Sequence, residues 1–479
     1  MSSPWLNRAS LAFLCKNASL RGASVLLAGL CLFRAGPAMG QGFTNLHNFV
    51  FTNGISPLAS LILSGNTLYG TTQNYGGGTG GGYGSVFKMG IDGSNFVALH
   101  IFSGFADGGS LNSGLVLTNG MLYGTATFGG ASNYGCVFGI STNGTGLTNL
   151  YNFSPLSMDV PGTNSDGAYP LGGLVLVGDN LYGTANGGGS KGWGTVFAVG
   201  TNSTGFTNLH SLGFGDGQYP VAAMILSGST LYGTTPAGKL YAMSTNGTGF
   251  TNFFTFSGPI QTNSGGSRPM GSLLLSGNTV YGTASLGGNA GNGTLFKINT
   301  DGSGFGVLHT FTSRSGVPLT NSDGANPQAE LILVDGALYG TAKNGGTSGN
   351  GTVFSVNTDG TRFSTLYSFS ATNADIGTNF DGAHPVSGLI LSGGTLYGTT
   401  SSGGAAGSGT IFSLLVPPVL SIQRSGTNVV LTWPTNFTGF NLQTATNLTP
   451  PINWSAVSGQ YSVTNPITDE QRFFRLVHP

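Results

Sequence analysis

Short apolar stretches alternate with polar, glycine-rich stretches along most of the chain, and one unit shows the pattern clearly. In residues 114–153, two compact apolar runs (114–117 and 136–140) are each followed by a run in which apolar and polar residues alternate (121–125 and 147–153). Short runs with these periods, bounded by turn residues, predict β-strands. Asn-Gly pairs in two of the connections favour hairpins. The unit therefore predicts four short antiparallel strands.

The same unit recurs seven times, and each copy carries a Leu-Tyr-Gly-Thr or Val-Tyr-Gly-Thr phrase in its second strand. Successive copies are 49 to 59 residues apart. Self-similarity on this scale is typical of propellers and solenoids, and four strands per unit match a propeller blade. The phrases begin at Leu68, Leu122, Leu181, Leu231, Val280, Leu338 and Leu396.

The spacing between landmarks separates constant connections from variable ones. In every unit the tyrosine of the phrase lies 16 positions after the opening residue, which stands at the first turn. Length changes only between strands two and three, and between strand four and the next unit. In an antiparallel blade these two connections lie at the same end, the variable-loop face, opposite the fixed-turn face, and scaffolds commonly carry function on such loops. The opening residues are Asn53, Asp107, Asp166, Asp216, Gly265, Asp323 and Asp381.

The two ends of the repeat region complement each other. Residues 43–49 have the pattern of a fourth strand without a unit, and the seventh unit, which ends at residue 416, lacks a fourth strand. A ring in which the N-terminal strand completes the last blade leaves no open edge. The sequence therefore predicts an all-β fold: a seven-bladed β-propeller of four-stranded antiparallel blades over residues 41–416, closed by the N-terminal strand.

Several repeated elements occur together over residues 43–416: Leu-Tyr-Gly-Thr-Thr, Gly-Gly, Gly-Thr-Val-Phe, Asp-Gly and Leu-His-x-Phe. This combination resembles the GloVer (Gloeo/Verruco) tandem-repeat family of secreted bacterial β-propeller-like proteins. The resemblance implies export and a β-propeller-like array. It implies no enzymatic activity and no particular ligand.

The first forty residues have the layout of a secretory signal. Arg8, Lys16 and Arg21 precede an apolar stretch at 22–33, and a small-x-small site follows at 38–40. Twelve apolar residues are short for a membrane span. We expect residues 1–40 to be removed and the mature chain to be secreted or held at the cell surface, with an uncleaved anchor as the alternative.

The composition changes after Pro417-Pro418, and residues 417–479 form a second predicted domain. Segments 429–434 and 472–476 resemble the small fibronectin-type-III-like modules at the C-termini of secreted bacterial proteins. We predict a small β-sandwich-like domain that serves either as an adhesive or anchoring module or as a stabilising cap. Its strand candidates are residues 419–423, 428–433, 439–444, 454–457, 461–463 and 473–477.

Charge and cysteine content limit the possible partners. The chain has 15 basic and 15 acidic residues, and only 6% of its residues are charged, against about 25% in a typical soluble domain. A basic patch for nucleic acid is not expected. Only Cys136 lies beyond the first forty residues, so neither a disulfide framework nor a cysteine metal site is expected. The sequence predicts no metal and no cofactor.

Polar side chains at repeated positions are candidates for chemistry. Four histidines share one fourth-strand position, and the ring would hold them apart, so packing is the expected role. The five opening aspartates could form a ring of cation ligands. However, Asn53 and Gly265 replace two of them, and Asn, Gly and Asp share turn chemistry rather than charge. The histidines are His47, His100, His210 and His309.

Glu330 is one of two glutamates in the chain, and the equivalent positions in the other units hold small residues. It is expected near the start of an inner strand, facing the central channel. Together with Asp323 and His384 it would supply a general acid or base. The alternative is a solvated glutamate at the channel mouth.

Aromatic residues on the variable-loop face are the strongest functional candidates. They occur in the glycine-rich loops of units one to three and in two opening turns, whereas the corresponding loops of units five to seven have none. Flat amphipathic rings suit stacking against sugars, and the alternative is that the rings pack the loops onto the propeller. The predicted ligand-binding residues are Tyr75, Tyr83, Phe128, Tyr134, Trp193, Tyr169 and Tyr219.

These features predict an exported propeller that binds a partner, preferably an extracellular glycan or else a surface protein. A polysaccharide lyase or hydrolase is the first alternative, although glycoside cleavage usually needs two carboxylates, and propellers support it only by analogy of fold. A structural surface protein without a ligand is the second alternative. The sequence favours a binding module over an enzyme and leaves the oligomeric state open.

Overall fold

The computed structural model describes residues 42–74, 82–256, 263–416, 418, 420–433, 435, 440–447, 452–466 and 472–477. The predicted signal segment and Tyr75 lie outside these residues. Within the described chain, regular structure is almost entirely β, and a 3-10 turn occurs at Phe214–Asp216. No helix in these ranges is long and apolar enough to cross a bilayer.

The repeat region begins with strand β1 (Phe43–Asn48) and continues with six four-stranded antiparallel sheets, each built from consecutive strands. The first three sheets contain β2 (Ile62–Ser64), β3 (Thr67–Thr72), β4 (Ser85–Gly90) and β5 (Val97–Ile101); β6 (Val116–Thr118), β7 (Met121–Ala126), β8 (Cys136–Ser141) and β9 (Thr148–Asn152); and β10 (Val175–Val177), β11 (Asn180–Ala185), β12 (Thr195–Gly200) and β13 (Thr207–Ser211).

The next three sheets repeat this order. They contain β14 (Ile225–Ser227), β15 (Thr230–Thr235), β16 (Lys239–Ser244) and β17 (Thr251–Thr255); β18 (Leu274–Ser276), β19 (Thr279–Ala284), β20 (Thr294–Asn299) and β21 (Gly306–Thr310); and β22 (Ile332–Val334), β23 (Ala337–Ala342), β24 (Thr352–Asn357) and β25 (Ser364–Ser368).

A further four-stranded sheet joins the two ends of the repeat region. Its last three strands in the chain are β26 (Ile390–Ser392), β27 (Thr395–Thr400) and β28 (Thr410–Leu415). The strand order is β1-β28-β27-β26, so β1 takes the place of the fourth strand. Beyond β1, the backbone N–H of Phe49 donates to the carbonyl of Gly409 at 3.0 Å.

The repeated phrase has a packing explanation, shown by the third sheet. Gly183 pairs with Phe197 across β11 and β12, and a Cβ at Gly183 would lie 2.5 Å from the Phe197 ring. Glycine is therefore needed because the fully buried Phe197 ring covers the neighbouring strand. The other repeats show the same close approach, at Gly70, Gly124, Gly233, Gly282, Gly340 and Gly398.

The threonine of the phrase links each sheet to the next. In the third repeat, for example, Thr184 Oγ1 donates to the carbonyl of Ala222 at 3.5 Å. In the seventh, Thr399 Oγ1 donates to the carbonyl of Pro57, in the first repeat, at 3.2 Å. The other five threonines bond forward in the same way: Thr71, Thr125, Thr234, Thr283 and Thr341.

The C-terminal segment forms two three-stranded sheets. One has the order β29 (Ser421–Ser425), β30 (Asn428–Thr432), β33 (Ser462–Pro466), and the other β32 (Ser455–Ala456), β31 (Asn441–Ala445), β34 (Phe473–Val477). Leu431, Trp433, Leu442 and Phe473 are buried within this module. Each of its six strands overlaps one of the six segments predicted from the sequence.

The chain divides into two compact units. The larger comprises Thr44–Ile390 and Tyr397–Ser413, and the smaller comprises the remaining described residues. The predicted all-β fold with repeated four-stranded antiparallel sheets is confirmed.

Candidate functional site

Seven equivalent turns define the variable-loop face. The residue three positions after each opening residue, called here the turn position, has a φ between 53° and 58° in all seven repeats. This left-handed conformation costs a residue with a side chain about 1–2 kcal/mol, and glycine adopts it freely. The chain has 85 glycines, yet none occupies a turn position, so a side chain is retained there despite the cost. The turn positions are Ser56, Ser110, Tyr169, Tyr219, Arg268, Asn326 and His384.

A second set of positions lies beside the turns. The residue two places before the third strand, called the loop-end position, accepts a hydrogen bond at its carbonyl from the N–H of the next turn position. The Tyr169 N–H donates to Tyr134 at 2.8 Å, and the Tyr219 N–H to Trp193 at 3.0 Å. This bond brings side chains from neighbouring repeats together. Described loop-end residues that accept it are Tyr83, Tyr134, Trp193, Asn292, Asn350 and Ser408.

Two aromatic clusters result. In the first, the Tyr169 ring centroid lies 5.5 Å from those of both Phe128 and Tyr134. Phe128 is 46% exposed, so the cluster has a solvent-facing surface. Burial raises the pKa of Tyr169, and the neighbouring Tyr134 adds to the rise. Tyr169 is therefore a neutral hydroxyl group at physiological pH.

The second cluster repeats the arrangement one unit later. The Trp193 and Tyr219 ring centroids are 5.3 Å apart, and Phe214 lies 6.4 Å from Trp193. Phe214 is 79% exposed and Tyr219 42%. Phe214, which is not among the residues predicted from the sequence, lies two residues before the opening residue Asp216, on the same face.

The structure places the seven predicted residues as follows. Five of them form the two clusters. Tyr83 is exposed and lies against the turn that opens the next repeat, where a Cβ at Gly109 would lie 2.5 Å from the Tyr83 Cβ. Tyr75 is outside the described residues.

The glycine-rich loops have the same backbone with and without aromatic residues. In the second and third repeats the Gly135 and Gly194 N–H groups donate to carbonyls six residues earlier, at 3.0 Å each. The loops of the fifth to seventh repeats close identically, at 2.9, 3.0 and 3.0 Å, with Asn292, Asn350 or Ser408 at the loop end. The Asn292 side chain holds its loop by donating to the carbonyl of Thr312 at 2.6 Å. The loop fold therefore does not require aromatic rings.

Three of the four repeated histidines pair with opening aspartates, and His47 contacts the opening residue Asn53 instead. His100 Nε2 lies 3.1 Å from Asp107 Oδ2, and His309 Nε2 lies 3.0 Å from Asp323 Oδ2. Tyrosine replaces histidine in two repeats, where the Tyr151 hydroxyl, for example, donates to Asp166 at 2.8 Å. These contacts tie the fourth strand to the next opening turn at the five boundaries that have an opening aspartate, and they occupy the carboxylates that a cation would need.

The pKa values of the aspartates reflect this pairing. Burial alone would raise the pKa of Asp323, but hydrogen bonds from His309 and Thr312 outweigh it and hold the pKa below its usual value. The ring face of His309 stacks on Phe363 with centroids 3.6 Å apart. The His309–Asp323 pair is therefore part of the packing between repeats.

Glu330 lies just before an inner strand, close to the first and seventh repeats. A Cβ at Gly388 would clash with its Cγ, and Ser60 is its hydrogen-bond partner. Burial raises the pKa of Glu330, and the Ser60 hydrogen bond opposes the rise in part. Asp323 bonds elsewhere, and Nδ1 of His384 contacts the carbonyl of Lys343 at 3.1 Å. No contact in the described chain assembles the predicted trio.

Three matches to the sequence profile of the Gloeobacter/Verrucomicrobia repeat run through the chain, at residues 31–165, 156–320 and 317–417. The chain belongs to this repeat family. The family predicted from the repeated phrases is thereby confirmed. In this Gloeobacter/Verrucomicrobia repeat protein both aromatic clusters lie inside the matched residues, whereas the C-terminal module lies beyond them.

Several solved structures resemble the repeat protein in fold. The designed protein Ika8 is 13% identical over 81% of this chain and 96% of its own, with a TM-score of 0.42. A GH74 enzyme of Niastella koreensis is 12% identical over 83% of this chain and 61% of its own, with a TM-score of 0.46. BamB from Moraxella catarrhalis is 14% identical over 75% of this chain and 83% of its own, with a TM-score of 0.39. A search of curated proteins finds no match.

The described part of this repeat protein contains no group of three or more His, Cys, Asp or Glu side chains placed to hold a metal ion. The two aromatic clusters are its candidate functional site. They offer exposed ring faces and tyrosine hydroxyls, next to the backbone amides of glycine loops.

Proposed function

We propose that this Gloeobacter/Verrucomicrobia repeat protein is an exported, closed seven-bladed β-propeller that binds an extracellular glycan through the two aromatic clusters of its variable-loop face. In this proposal residues 1–40 are the cleaved signal and residues 41–416 the propeller. Residues 417–479 are a fibronectin-type-III-like module that attaches or stabilises the protein.

Contacts between the first and seventh repeats support closure. The pairing of β1 with β28 completes a four-stranded sheet. The Ser56 N–H donates to the carbonyl of Ser408 at 3.0 Å, the same bond that joins other neighbouring repeats. Together with the forward bond of Thr399, these contacts make the last repeat a neighbour of the first.

One observation carries the binding proposal: the aromatic rings are not needed for the loops that bear them. Equivalent loops form the same backbone bonds around asparagine and serine. Large apolar rings that are exposed to water and that the loop backbone does not require are typical of recognition surfaces. The rings occur in consecutive repeats, which concentrates them on one part of the face.

A glycan fits the chemistry of this surface. Sugar rings have apolar C–H faces that stack on aromatic rings, and their hydroxyls need donors and acceptors at the edge. Tyr134 and Tyr219 supply hydroxyl groups, and the surrounding glycine, serine and asparagine residues supply amides. Consecutive clusters suit a chain of sugars better than a single one.

The test uses the mature chain from Gln41 with a panel of soluble and insoluble polysaccharides. We expect retention by at least one polymer and a loss of tenfold or more in Trp193→Ala and in Tyr134→Ala. Ser408→Ala, at the equivalent loop-end position of the seventh repeat, is the matched control and should bind as the wild type does. Unchanged retention in both aromatic variants would disprove the proposed site.

Released sugar is measured in the same incubations. Product formation that disappears in Glu330→Gln would establish the alternative of a polysaccharide-cleaving enzyme. Binding without product supports the binding module. Thermal unfolding of each variant shows whether a loss of binding reflects a loss of fold.

A further inference from the structure

The fourth repeat departs from the others at the edge of the second aromatic cluster. Its β15 and β16 are joined by only three residues, 236–238, and the turn is closed by the Gly238 N–H donating to Thr235 at 2.9 Å. In five other repeats this connection has nine residues. The glycine-rich loop that elsewhere stands between two turn positions is therefore absent here, and this shortened connection, with the turns of Tyr219 and Arg268 before and after it, is called the notch.

Two basic residues, each the only lysine or arginine at its repeated position, lie at this notch. The turn position after Tyr219 is Arg268, where the other repeats have Ser, Tyr, Asn or His. The first residue of β16 is Lys239, where the third strands of the other repeats begin with Ser, Cys or Thr. A Cβ at Gly217 would lie 3.0 Å from Lys239 Cγ, which places the lysine stem beside the turn that carries Tyr219. The lysine ammonium donates to the neutral hydroxyl of Thr255 at 3.1 Å.

The lysine replaces a structural hydroxyl. Elsewhere a hydroxyl at this position donates to the carbonyl of the opening residue, as Thr195 does to Asp166 at 3.0 Å. It can also pair with the last threonine of the second strand, as Thr410 does with Thr400 at 2.9 Å. In the fourth repeat the corresponding Thr235 Oγ1 is buried without a hydrogen-bond partner among the described residues. In the fourth repeat, a side chain that forms a local hydrogen bond has been replaced by one that carries a positive charge.

The two cations are available to an external anion. Neither Arg268 nor Lys239 belongs to an ion pair among the described residues; the ion pairs found there use Lys191, His100, His210 and His309. Asp216, the acidic residue in the opening turn of this repeat, is already bonded to His210 and to the N–H of Gly213. A guanidinium can bind a carboxylate or sulfate with two parallel hydrogen bonds, and an ammonium adds a mobile charge.

We propose that the notch binds the acidic group of a carboxylated or sulfated glycan, with Arg268 and Lys239 as the specificity residues beside the Trp193–Tyr219 cluster. This inference rests on the proposed function and narrows it. The aromatic rings hold the sugar faces, and the two cations select polymers that carry negative charge.

The test compares three derivatives of one polymer: neutral hydroxyethylcellulose, carboxymethylcellulose and cellulose sulfate. We expect the mature chain to bind at least one acidic derivative at least tenfold more tightly than the neutral one at low salt, and added salt to reduce this advantage. The double variant Lys239→Thr, Arg268→Asn, which copies the residues of the sixth repeat, should lose the advantage and keep the neutral affinity. Whether the carboxylate or the sulfate derivative binds more tightly identifies the acidic group.

Arg362→Asn is the matched control. Arg362 also has a left-handed backbone, with a φ of 55°, but lies in a β24–β25 connection on the fixed-turn face, so its loss should change nothing. If the wild type binds neutral and acidic polymers equally, and Trp193→Ala abolishes this binding, the inference about the notch is overturned and the proposal of an aromatic glycan site still stands. Failure of all three polymers to bind would count against both. Thermal unfolding should show the double variant at least as stable as the wild type, since Lys239→Thr restores a hydroxyl beside Thr235.

Discussion

Trp193 and Asn350 stand at equivalent loop-end positions, three repeats apart, with very different surroundings. The Asn350 amide donates to the carbonyl of Ser370 at 2.5 Å and is almost fully buried. The Trp193 ring instead meets Tyr219 and Phe214, both exposed. The amide is used inside the protein, whereas the aromatic cluster presents its surface to the outside. Equivalent positions in a repeat protein can therefore hold a buried amide in one repeat and a partly exposed aromatic cluster in another without a change of backbone.

The largest expected effect on stability distinguishes two aromatic residues of the third repeat, Phe197 and Trp193. Phe197→Ala removes a fully buried ring from between two sheets and should lower the free energy of unfolding by about 3–5 kcal/mol. Trp193→Ala should lower it by much less, while abolishing glycan retention. Chemical denaturation of the two variants measures the difference. Equal destabilisation would mean that the Trp193 ring supports the fold and would break the comparison.

A smaller loss of stability is expected when the Asn350 amide is removed. Asn350→Ala removes the bond to the Ser370 carbonyl and leaves a buried acceptor without its partner, so the free energy of unfolding should fall by about 1–2 kcal/mol. Glycan retention should not change. Denaturation midpoints and retention of the same variant give both values, and a loss of retention without a loss of stability would contradict the assignment of Asn350 to folding.

The fourth repeat offers a substitution that should stabilise the fold. Six repeats have phenylalanine in the middle of the third strand, but this one has Tyr241, whose buried hydroxyl lacks a hydrogen-bond partner in the described chain. Tyr241→Phe removes that unsatisfied group and should raise the free energy of unfolding by about 1 kcal/mol. A lower melting temperature would show that the hydroxyl has a partner in solution.

Glu330 and Asp323 should change the free energy of unfolding with pH in opposite directions. These changes should be the smallest of the expected effects. The folded-state pKa of Glu330 is raised from 4.5, so its contribution to stability is fully present below that value and is lost as the pH rises through the folded pKa. Glu330→Gln should therefore gain stability relative to the wild type as the pH increases. Asp323, whose pKa is lowered, loses its contribution as the pH falls. Unfolding curves from about pH 3 to pH 8 on the wild type, Glu330→Gln and Asp323→Asn test both signs.

The strands were predictable because periodicity records burial locally. Runs such as 121–125 and 136–140 overlap β7 and β8, and all six strands of the C-terminal module were found from the same signal. The glycine of the repeated phrase was visible in the sequence as a pattern, but the sequence did not show why glycine is required there. That reason is the Phe197 ring lying over Gly183, a contact between two strands.

The candidate site was predictable only in its composition. The aromatic residues were evident, yet their grouping depends on the bond between a loop end and the turn of the next repeat, at sequence distances that vary. The pairing of histidines with opening aspartates was hidden for the same reason: His100 and Asp107 are 7 residues apart, but His309 and Asp323 are 14 apart. Phe214 was missed because its approach to Trp193 is a contact in space that the sequence does not show. Arg268 and Lys239 were missed because each is a single departure from the repeat, and its meaning depends on its neighbours in space.

The pairing of β1 with β28 sets the order in which the protein can be completed. Ribosomal synthesis delivers β1 first, but the strand it pairs with follows more than 350 residues later. Contacts so distant in sequence form late and slow the folding of the whole domain. During that interval the edge of β1 is open to pairing with other chains, so the newly made protein passes through a stage in which a holding chaperone would be of most use.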